Sequence, residues 1–344
     1  MTVDTSSLRI VELDPDDAHA AEASYAIHAA VRAYEQPDLP PPSRHRHVHL
    51  LRLGWPGHLE KHWLAYDGDV AVAELDVSLP QRDNLDNAWI DLHVRAEYRR
   101  RGIGRRLYEL AVGYARAAGR TKLMASSWEQ IPDGPFRDGA GSAFARAMGL
   151  GRVHEETRRK LYLSTVDDAL LDRLLADAYA HADGYSPVQW TDRCPDEYVP
   201  DMAYLEGRLS TDAPMGDLDW GPENVDAELI REMERNRAIM GGRAFHTAVR
   251  HDATGRLVAL TGTMIEHGVP EHAWQMITLV DPDHRGRRLG TIVKIENLRL
   301  TVAGEPALQA IDTTNATVNR HMIAINHAMG FVPIDVEAEW QVSI

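Results

Sequence analysis

Residues 92–107 read LHVRAEYRRRGIGRRL, and this stretch decides the fold prediction. A short apolar strand leads into a basic turn with two glycines, and an amphipathic helix follows. Gly102 and Gly104 carry no Cβ, so backbone N–H groups there can approach a ligand closely. The helix directs its unpaired amides at the same point, where three consecutive arginines add positive charge. The pattern predicts a site for an anion such as a diphosphate.

The same pattern returns at residues 277–291, which read ITLVDPDHRGRRLGT. An apolar strand again precedes the basic turn, and apolar residues at helical spacing follow it. A single copy would fit a solvated helix start. Two copies in one chain predict two related domains.

The rival interpretation of residues 92–107 is the dinucleotide fingerprint G-x-G-x-x-G. Leu107 occupies the position of its third glycine, and no chain-initial βαβ unit surrounds the motif. We therefore set dinucleotide binding aside.

At these residues the chain resembles the GNAT superfamily of acyl-CoA-dependent N-acyltransferases, whose signature after a strand is Arg/Gln-x-x-Gly-x-Gly/Ala. Arg99, Gly102 and Gly104 match it fully, whereas in the second copy Arg285 and position 290 match and an arginine replaces the first glycine. The resemblance covers almost the whole chain and is closest to tandem GNAT proteins, a group that includes mycothiol synthase. It implies an α/β fold, an α+β mixed sheet in each of two tandem GNAT domains.

The chain of 344 residues accommodates two domains of roughly 160 residues each. We expect an N-terminal GNAT domain at residues 1–165, a helical linker at 166–183 and a C-terminal GNAT domain at 184–344. The strand at 158–163 is expected to close the first domain, and the strand at 331–342 the second.

Composition limits the functional class. The hydrophobic content of 44%, the absence of a long apolar run and the lack of a signal-peptide pattern predict a cytoplasmic protein with no membrane partner. A net charge of -15 disfavours nucleic acid as a partner and suits small basic pockets for an anionic cosubstrate. Cys194 is the only cysteine, so an intrachain disulfide and a cysteine-based zinc site are excluded.

Three alternating histidines, His45, His47 and His49, follow a proline-rich loop. They could place imidazoles on one face of a strand, but no carboxylate or cysteine cluster accompanies them. We therefore expect no metal and interpret the segment as solvated or substrate-facing.

The resemblance implies where acetyl-CoA would bind. In the GNAT fold the strand before the turn splays from its neighbour, the pantetheine arm lies in the cleft, and the turn holds the diphosphate. The residues implied to bind the cosubstrate are Leu92, Val94, Arg99, Arg100, Arg101, Gly102, Ile103 and Gly104 in the first half, and Leu279, Val280, Arg285, Gly286, Arg287, Arg288, Leu289, Gly290 and Asn319 in the second.

A second family motif is N-x-x-A-x-x-x-Y-x-x-x-G-F, in which the asparagine orients pantetheine and the tyrosine can protonate the departing thiolate. Asn319 and the closing Gly-Phe match in the second half, but Asn326 stands at the tyrosine position. In the first half Asp138 and Ala145 occupy the two positions. An asparagine cannot act as a general acid, so another proton donor is required.

The better helix motif favours catalysis in the C-terminal half. The expected catalytic residues there are Asn326 and His321 on the motif helix, and Gln275 and Thr278 on the central strands, where a base or a bound water is usual. Further candidates are Tyr108 and His327 as proton donors, and Glu74, Asp91 and Glu266 as bases.

These features predict an N-acetyltransferase of the EC 2.3.1 class that transfers acetyl from acetyl-CoA to a primary amine of a small molecule by direct attack. The alternative is a protein that binds or senses CoA without turnover, because both tyrosine positions are changed. An antibiotic amine, a peptide N-terminus and another acyl group remain open, since variable loops build the acceptor pocket. The oligomeric state is not predicted.

Overall fold

The computed structural model describes residues 8–344. Contacts between Cα atoms divide the chain into two units. The N-terminal unit extends to Glu155 and includes Gly216–Gly221 and Asp335–Ile344, and the C-terminal unit consists of Glu156–Met215 and Pro222–Ile334. Each unit combines a mixed sheet with helices, which confirms the predicted α/β class.

The N-terminal unit begins its helices with recognisable caps. The Asp17 carboxylate accepts from the amides of His19 and Ala20 and starts the first helix, and the Ser43 hydroxyl caps the second by accepting from the amide of Arg46. The elements of this unit are β1 (Arg9–Glu12), α1 (Ala18–Glu35), α2 (Arg44–Leu53), β2 (His58–Asp67), β3 (Val70–Pro80), β4 (Asn87–Val94), α3 (Ile103–Ala117), β5 (Lys122–Gln130), α4 (Ala140–Ala147) and, for most of its length, β12 (Val332–Ser343).

The strands of the N-terminal unit pair in the order β1-β2-β3-β4-β5-β12. All neighbours are antiparallel except β4 and β5, which are parallel. Alternate residues of β3, such as Leu75 and Val77, pack with Leu107 and Ala111 of α3 in the core. The remaining residues of β3 therefore face the opposite side of the sheet.

The C-terminal unit repeats this plan. Its elements are β6 (Gly151–Tyr162, from Glu156 onward), α5 (Asp168–Tyr179), β7 (Tyr185–Thr191), α6 (Val199–Gly207), α7 (Leu209–Asp212), α8 (Ala227–Ile239), β8 (Arg243–His251), β9 (Leu257–Ile265), β10 (His272–Val280), α9 (Leu289–Gly304), β11 (Ala310–Ala316) and α10 (Arg320–Met329).

The strands of the C-terminal unit pair in the order β6-β11-β10-β9-β8-β7, with β10 and β11 parallel. Ile292 and Ile295 of α9 pack in the main core with Phe245 and Ala273. Strands β8, β9 and β10 thus occupy the places that β2, β3 and β4 occupy in the N-terminal unit.

Three details differ from the sequence-based expectation. Residues 44–53 form a helix, so the histidine segment is not a strand. Helix α5, expected within a linker, buries Leu171 and Leu175 in the core of the C-terminal unit. The closing strands are exchanged: β6 pairs with β11 from Glu156 to Tyr162, and β12 pairs with β5 from Asp335 to Ser343.

Across the described part of the chain, no helix is long and apolar enough to cross a membrane.

Candidate functional site

The two basic turns follow the same backbone path with different residues. Arg100 and Gly286 occupy the first left-handed position, with φ of 63° and 81°. Gly102 and Arg288 occupy the second, with φ of 83° and 57°. The arginine and the glycine have therefore exchanged places between the copies. The replacement of glycine by Arg288, noted in the sequence, leaves the turn intact at some cost in backbone strain.

Each turn leads directly into a helix whose first turn lacks a side-chain cap. Helix α3 follows Gly102, and α9 follows Arg288. The first amides of each helix have no intrahelical acceptor and are directed at the turn. A Cβ built on Gly104 would lie 3.2 Å from the Phe144 ring, so a side chain there would press against the neighbouring helix α4.

The equivalent glycine of the second turn makes the same close approach. A Cβ on Gly290 would lie 3.2 Å from Cδ1 of Ile325 on α10. In both turns, a glycine thus lets a second helix pack closely beside the free amides at the start of α3 or α9. This geometry fits a diphosphate held mainly by backbone N–H groups.

The first arginine of each turn ties the turn to its own strand. Arg99 Nε donates to the carbonyl of Val94 at 3.0 Å, and Arg285 Nε donates to the carbonyl of Val280 at 3.1 Å. Arg99 also pairs with acidic groups, among them Asp138 at 2.8 Å. These two guanidinium groups are therefore engaged within the protein and position the turn.

The other residues of the turns are buried apolar side chains, one exposed arginine, and arginines that contact other residues of the chain. Ile103 and Leu289 are buried in the cores of their units. Arg100 is exposed. The remaining arginines contact their own chain: Arg101 donates to the carbonyl of Glu97 at 2.7 Å, Arg287 lies over the Tyr185 ring at 5.4 Å, Arg285 pairs with Asp212 at 3.1 Å, and Arg288 pairs with Asp177.

The strand before each turn separates from its parallel neighbour, as the resemblance implied. The β4–β5 ladder ends at the pair Trp89 and Met124, although β4 continues to Val94. The β10–β11 ladder ends at the pair Trp274 and Asp312. Beyond these points, the strand segments that carry Leu92, Val94, Leu279 and Val280 border a cleft in each unit.

One face of the N-terminal sheet is lined with titratable side chains. They alternate along three neighbouring strands, and we define them as the polar face: Glu60 and His62 on β2, Glu74 and Asp76 on β3, and Asp91 and His93 on β4. Asp76 lies opposite both His62 and Asp91, and Glu74 lies opposite His93. Asp76 Oδ1 and His62 Nδ1 are 2.6 Å apart.

Burial changes the protonation of the polar face. Burial and, to a smaller extent, the neighbouring Asp76 together raise the pKa of Glu74 to about 8. Burial and the facing Asp91 raise the pKa of Asp76 well above its usual range. The pKa of Asp91 is also raised by burial, although its side chain still reaches solvent at the cleft. The face is therefore partly protonated near neutral pH.

Helices α1 and α2 cover the polar face with further polar groups. Ser24 Oγ donates to Glu74 Oε1 and lies 2.7 Å from His47 Nε2. The His28 ring lies between those of His47 and His93, with centroids 5.1 and 5.2 Å away. Burial lowers the pKa of His47 to about 4 and holds that of His28 well below its usual range.

The same face of the C-terminal unit is apolar. Counting back from the turn, Leu260, Gly262 and Leu279 stand where the N-terminal unit has Glu74, Asp76 and His93. His246, equivalent to His62, stacks on Trp190 with ring centroids 5.3 Å apart. Burial lowers the pKa of His246 to about 3, so its ring is neutral.

The opposite face of the C-terminal sheet brings together two predicted catalytic residues. Gln275 Nε2 donates to Thr261 Oγ1 at 2.8 Å, and Thr261 Oγ1 is 2.7 Å from Thr278 Oγ1. A bulge in β10 lies between Gln275 and Thr278. The group consists of hydroxyls and an amide on the side of α9, so it can hold a water but contains no base.

The other predicted residues lie on or beside α10 and have different partners. Asn326 Nδ2 donates to Asn315 Oδ1 of β11 at 2.5 Å. Asn319 caps α10, since its Oδ1 accepts from the amide of Met322 at 3.2 Å. His321 is exposed. No described contact joins these three residues to Gln275 or Thr278.

Sequence reasoning identified Glu74 and Asp91 but missed their neighbours. The missed residues of this site are Ser24, His28, His62, Asp76 and His93, whereas His47 was part of the segment interpreted as solvated or substrate-facing. A polar or titratable group at every second position of three successive strands was the available signal, because such a pattern gives a sheet a polar side. Among residues 8–344, no group of His, Cys, Asp and Glu is arranged to hold a metal ion.

Comparison with known proteins agrees with this geometry. Residues 16–130 match the sequence profile of the acetyltransferase (GNAT) family. A solved tandem GNAT protein from the clavulanic acid biosynthesis pathway, described as without AcCoA, is 34% identical, with 98% of each chain covered and a TM-score of 0.82. A GCN5-related N-acetyltransferase from Sphaerobacter thermophilus is 12% identical over 98% of this chain and 96% of that chain, with a TM-score of 0.65, which shows the fold alone. A search of curated proteins finds no match.

Proposed function

The chain belongs to the GNAT acetyltransferase family, and on that premise we propose that it transfers an acetyl group from acetyl-CoA to the primary amine of a small molecule in its N-terminal unit. The sequence motifs favoured the C-terminal half. The placement of acid–base groups supports the N-terminal unit instead.

The observation that carries this proposal is the contrast between the two units on one face of the sheet. The N-terminal polar face borders the splayed strand β4 and contains carboxylates and imidazoles that can bind an ammonium group and accept its proton. The C-terminal unit has Leu260, Gly262 and Leu279 at these positions. No strand residue at these positions is a carboxylate, and the charged Arg237 acts on both His246 and the Glu206 carboxylate of α6.

We assign the general base to Glu74. Its Oε1 accepts from Ser24, while its Oε2 is buried without a hydrogen-bond partner. A buried oxygen of this kind is stabilised by an incoming N–H donor. A pKa of about 8 also suits a group that removes a proton from an ammonium near neutral pH.

Asp91 stands on β4 itself and reaches solvent at the cleft. We assign it to the first contact with the cationic amine, because a carboxylate at the mouth of a cleft attracts and orients an ammonium group. The amine nitrogen then attacks the thioester carbonyl. The C–N bond forms as the C–S bond breaks.

The departing thiolate needs a proton, and Ala145 at the family's tyrosine position cannot supply it. Tyr108 of α3 packs edge-on against Phe144, the residue beside Ala145, with ring centroids 6.3 Å apart. Burial raises the pKa of Tyr108, so its hydroxyl stays protonated. Its hydroxyl makes a long contact of 3.5 Å with the carbonyl of Met148, which is weak enough to be given up, and we assign Tyr108 to this proton transfer.

A second role, binding of a CoA group without turnover, fits the C-terminal unit. Its turn has the same backbone path as the first, and its strand β10 separates in the same way. The strand positions of its apolar face carry no carboxylate. In this proposal the C-terminal unit binds CoA without turnover, and the N-terminal unit performs the reaction.

Thiol release from acetyl-CoA tests the proposal, with butane-1,4-diamine, 2-phenylethylamine and glycinamide as acceptors. Gly104→Asp introduces a carboxylate beside the diphosphate site, and Gly104→Asn has the same size without the charge. Both variants carry the Cβ that presses on Phe144, so we expect the aspartate variant to lose about ten-fold or more in turnover relative to the asparagine variant. If the loss occurred instead with Gly290→Asp relative to Gly290→Asn, catalysis would belong to the C-terminal unit.

A further inference from the structure

We propose that Ser24 and His47 form a proton relay that carries the proton of each catalytic cycle from Glu74 to solvent. The inference rests on the proposed function, because it takes Glu74 as the group that accepts the proton of the amine. It also gives a role to the histidine segment of α2, which the proposed function leaves unused.

The need for a relay follows from the burial of Glu74. Its side chain is 0% exposed, so a proton received from the substrate has no direct contact with bulk water. Each turnover makes R–NH–CO–CH₃ and CoA thiol from R–NH₃⁺ and acetyl-CoA. Of the two protons that leave the nitrogen, one goes to Glu74 and the other replaces the proton that Tyr108 gives to the CoA sulfur. The proton on Glu74 must reach solvent before the next cycle.

Ser24 lies within hydrogen-bond distance of both Glu74 and His47. Its hydroxyl is fully buried on α1, touches Glu74 Oε1 and lies 2.7 Å from His47 Nε2. The Ser24 hydroxyl donates to the ionised Glu74; once Glu74 is protonated, the hydroxyl turns to accept from the carboxyl and donates its own hydrogen to His47 Nε2, so it takes one proton as it gives another. No bond to carbon changes in this step.

His47 is suited to the outer end of the relay. It is only partly buried, and its low pKa leaves the ring neutral and able to receive a proton at Nε2 while it loses one from Nδ1. The low pKa also means that the imidazolium is short-lived. The proton therefore moves on instead of remaining on the ring.

Helix geometry explains why His47 alone of the three histidines faces inward. His45 and His49 are four residues apart, and their rings contact each other with centroids 4.5 Å apart. His47 lies on another side of the helix and points toward α1 and the sheet. His45 therefore provides a matched control on the same helix.

Other charged groups surround the relay and affect both of its ends. The groups that act on Glu74 are Asp76 of β3, His62 of β2 and His93 of β4, and those that act on His47 are Glu22 and His28 of α1, Arg46 of its own helix, His62 and His93. None of them stands between Glu74 Oε1 and His47 Nε2, where Ser24 makes both contacts.

The test separates the first turnover from later ones, with 2-phenylethylamine and butane-1,4-diamine as acceptors. At about pH 9, above the pKa of about 8 of Glu74, we expect the single-turnover rate of thiol release in Ser24→Ala and His47→Ala to stay within about three-fold of wild type, because Glu74 begins the cycle ionised. We expect the steady-state rate to fall by about ten-fold or more, because Glu74 must lose its proton to solvent before each further cycle. Added imidazole should restore His47→Ala but not Ser24→Ala.

His45→Gln should match the wild type in both measurements. The relay is overturned if both alanine variants keep the steady-state rate, or if they lose the single-turnover rate equally and imidazole restores neither. The second result would assign Ser24 and His47 to support of the pocket alone. Absence of thiol release from the wild-type chain with either amine would overturn the proposed function, and the relay with it.

Discussion

Arg288 has the same left-handed backbone conformation as Gly102, at the equivalent position of the second turn. An L-residue in this region carries strain of about 1–2 kcal/mol, which glycine avoids. The ion pair between Arg288 and Asp177 is half-exposed and offsets little of it. The turn thus keeps its geometry at a measurable cost.

We predict that Arg288→Gly is more stable than the matched variant Arg287→Gly by about 1–2 kcal/mol. Arg287 lies outside the left-handed region, so glycine there relieves no strain; it adds conformational entropy to the unfolded chain and removes the contact with the Tyr185 ring. Urea titration followed by circular dichroism measures the difference. Equal stability of the two variants would show that residue 288 is not strained.

Glu74→Gln should lower turnover by about 10²–10⁴-fold, because the amide cannot accept the proton of the ammonium. The shape of the side chain and its contact with Ser24 are kept. We therefore expect the affinity for acetyl-CoA, measured by calorimetry, to stay at the wild-type value. A variant with full turnover would remove Glu74 from the mechanism.

The pH dependence of kcat/KM follows from the same group. Because the base must be ionised, activity should rise with pH and level off above about pH 8, where Glu74 has lost its proton. Amines that differ in their own pKa values separate the titration of the enzyme from that of the acceptor. A rise whose midpoint follows the amine alone would contradict the assignment.

Tyr108→Phe should reduce kcat by about 10²-fold or more and leave the KM for acetyl-CoA nearly unchanged, since only the proton donor to the thiolate is lost. Acetyl thioesters whose leaving thiols are more acidic need less protonation. The defect should shrink with them. A defect of constant size across such thioesters would indicate a structural role for the ring.

The variant Lys294→Met tests a buried charge in the C-terminal unit. The ammonium lies over the Phe331 ring at 5.0 Å, and burial lowers its pKa to about 7. The folded state therefore binds this proton less readily than the unfolded chain, so wild-type stability falls as pH decreases from about 10.5 to 7.

We expect Lys294→Met to be more stable than wild type at pH 7 by on the order of 2 kcal/mol, with the difference vanishing as the pH rises above about 10.5. Thermal unfolding at several pH values measures this change. Lys61→Met, at a largely exposed pair with Glu12, should change stability by less than about 1 kcal/mol. A stabilisation independent of pH would contradict the burial of a charged group at Lys294.

Local sequence predicted the strand, turn and helix of each copy because glycine positions and apolar spacing determine them within about fifteen residues. The conformation at Arg288 could not be predicted, since arginine has no preference for the left-handed region. The separation of β4 beyond Trp89 and of β10 beyond Trp274 was implied by family resemblance alone.

The acid–base site depends on contacts between distant segments. Ser24 and Glu74 are 50 residues apart, and nothing in either segment specifies the other. The histidines of α2 were ambiguous because alternation suggested a strand, whereas the Ser43 cap and tertiary packing favour a helix. Local pattern likewise could not assign β6 and β12 to their partners, since their pairing depends on the assembled sheets.

The exchange of β12 has a consequence for synthesis. The ribosome makes Asp335–Ile344 after residues 156–334, yet the late segment belongs to the N-terminal unit. During translation, the outer edge of β5 therefore lacks its ladder partner and is open to pairing with another chain. All strands of the C-terminal sheet, the last of which is β11, are synthesised before Asp335–Ile344. The unit encoded second is thus able to complete its sheet before the unit encoded first.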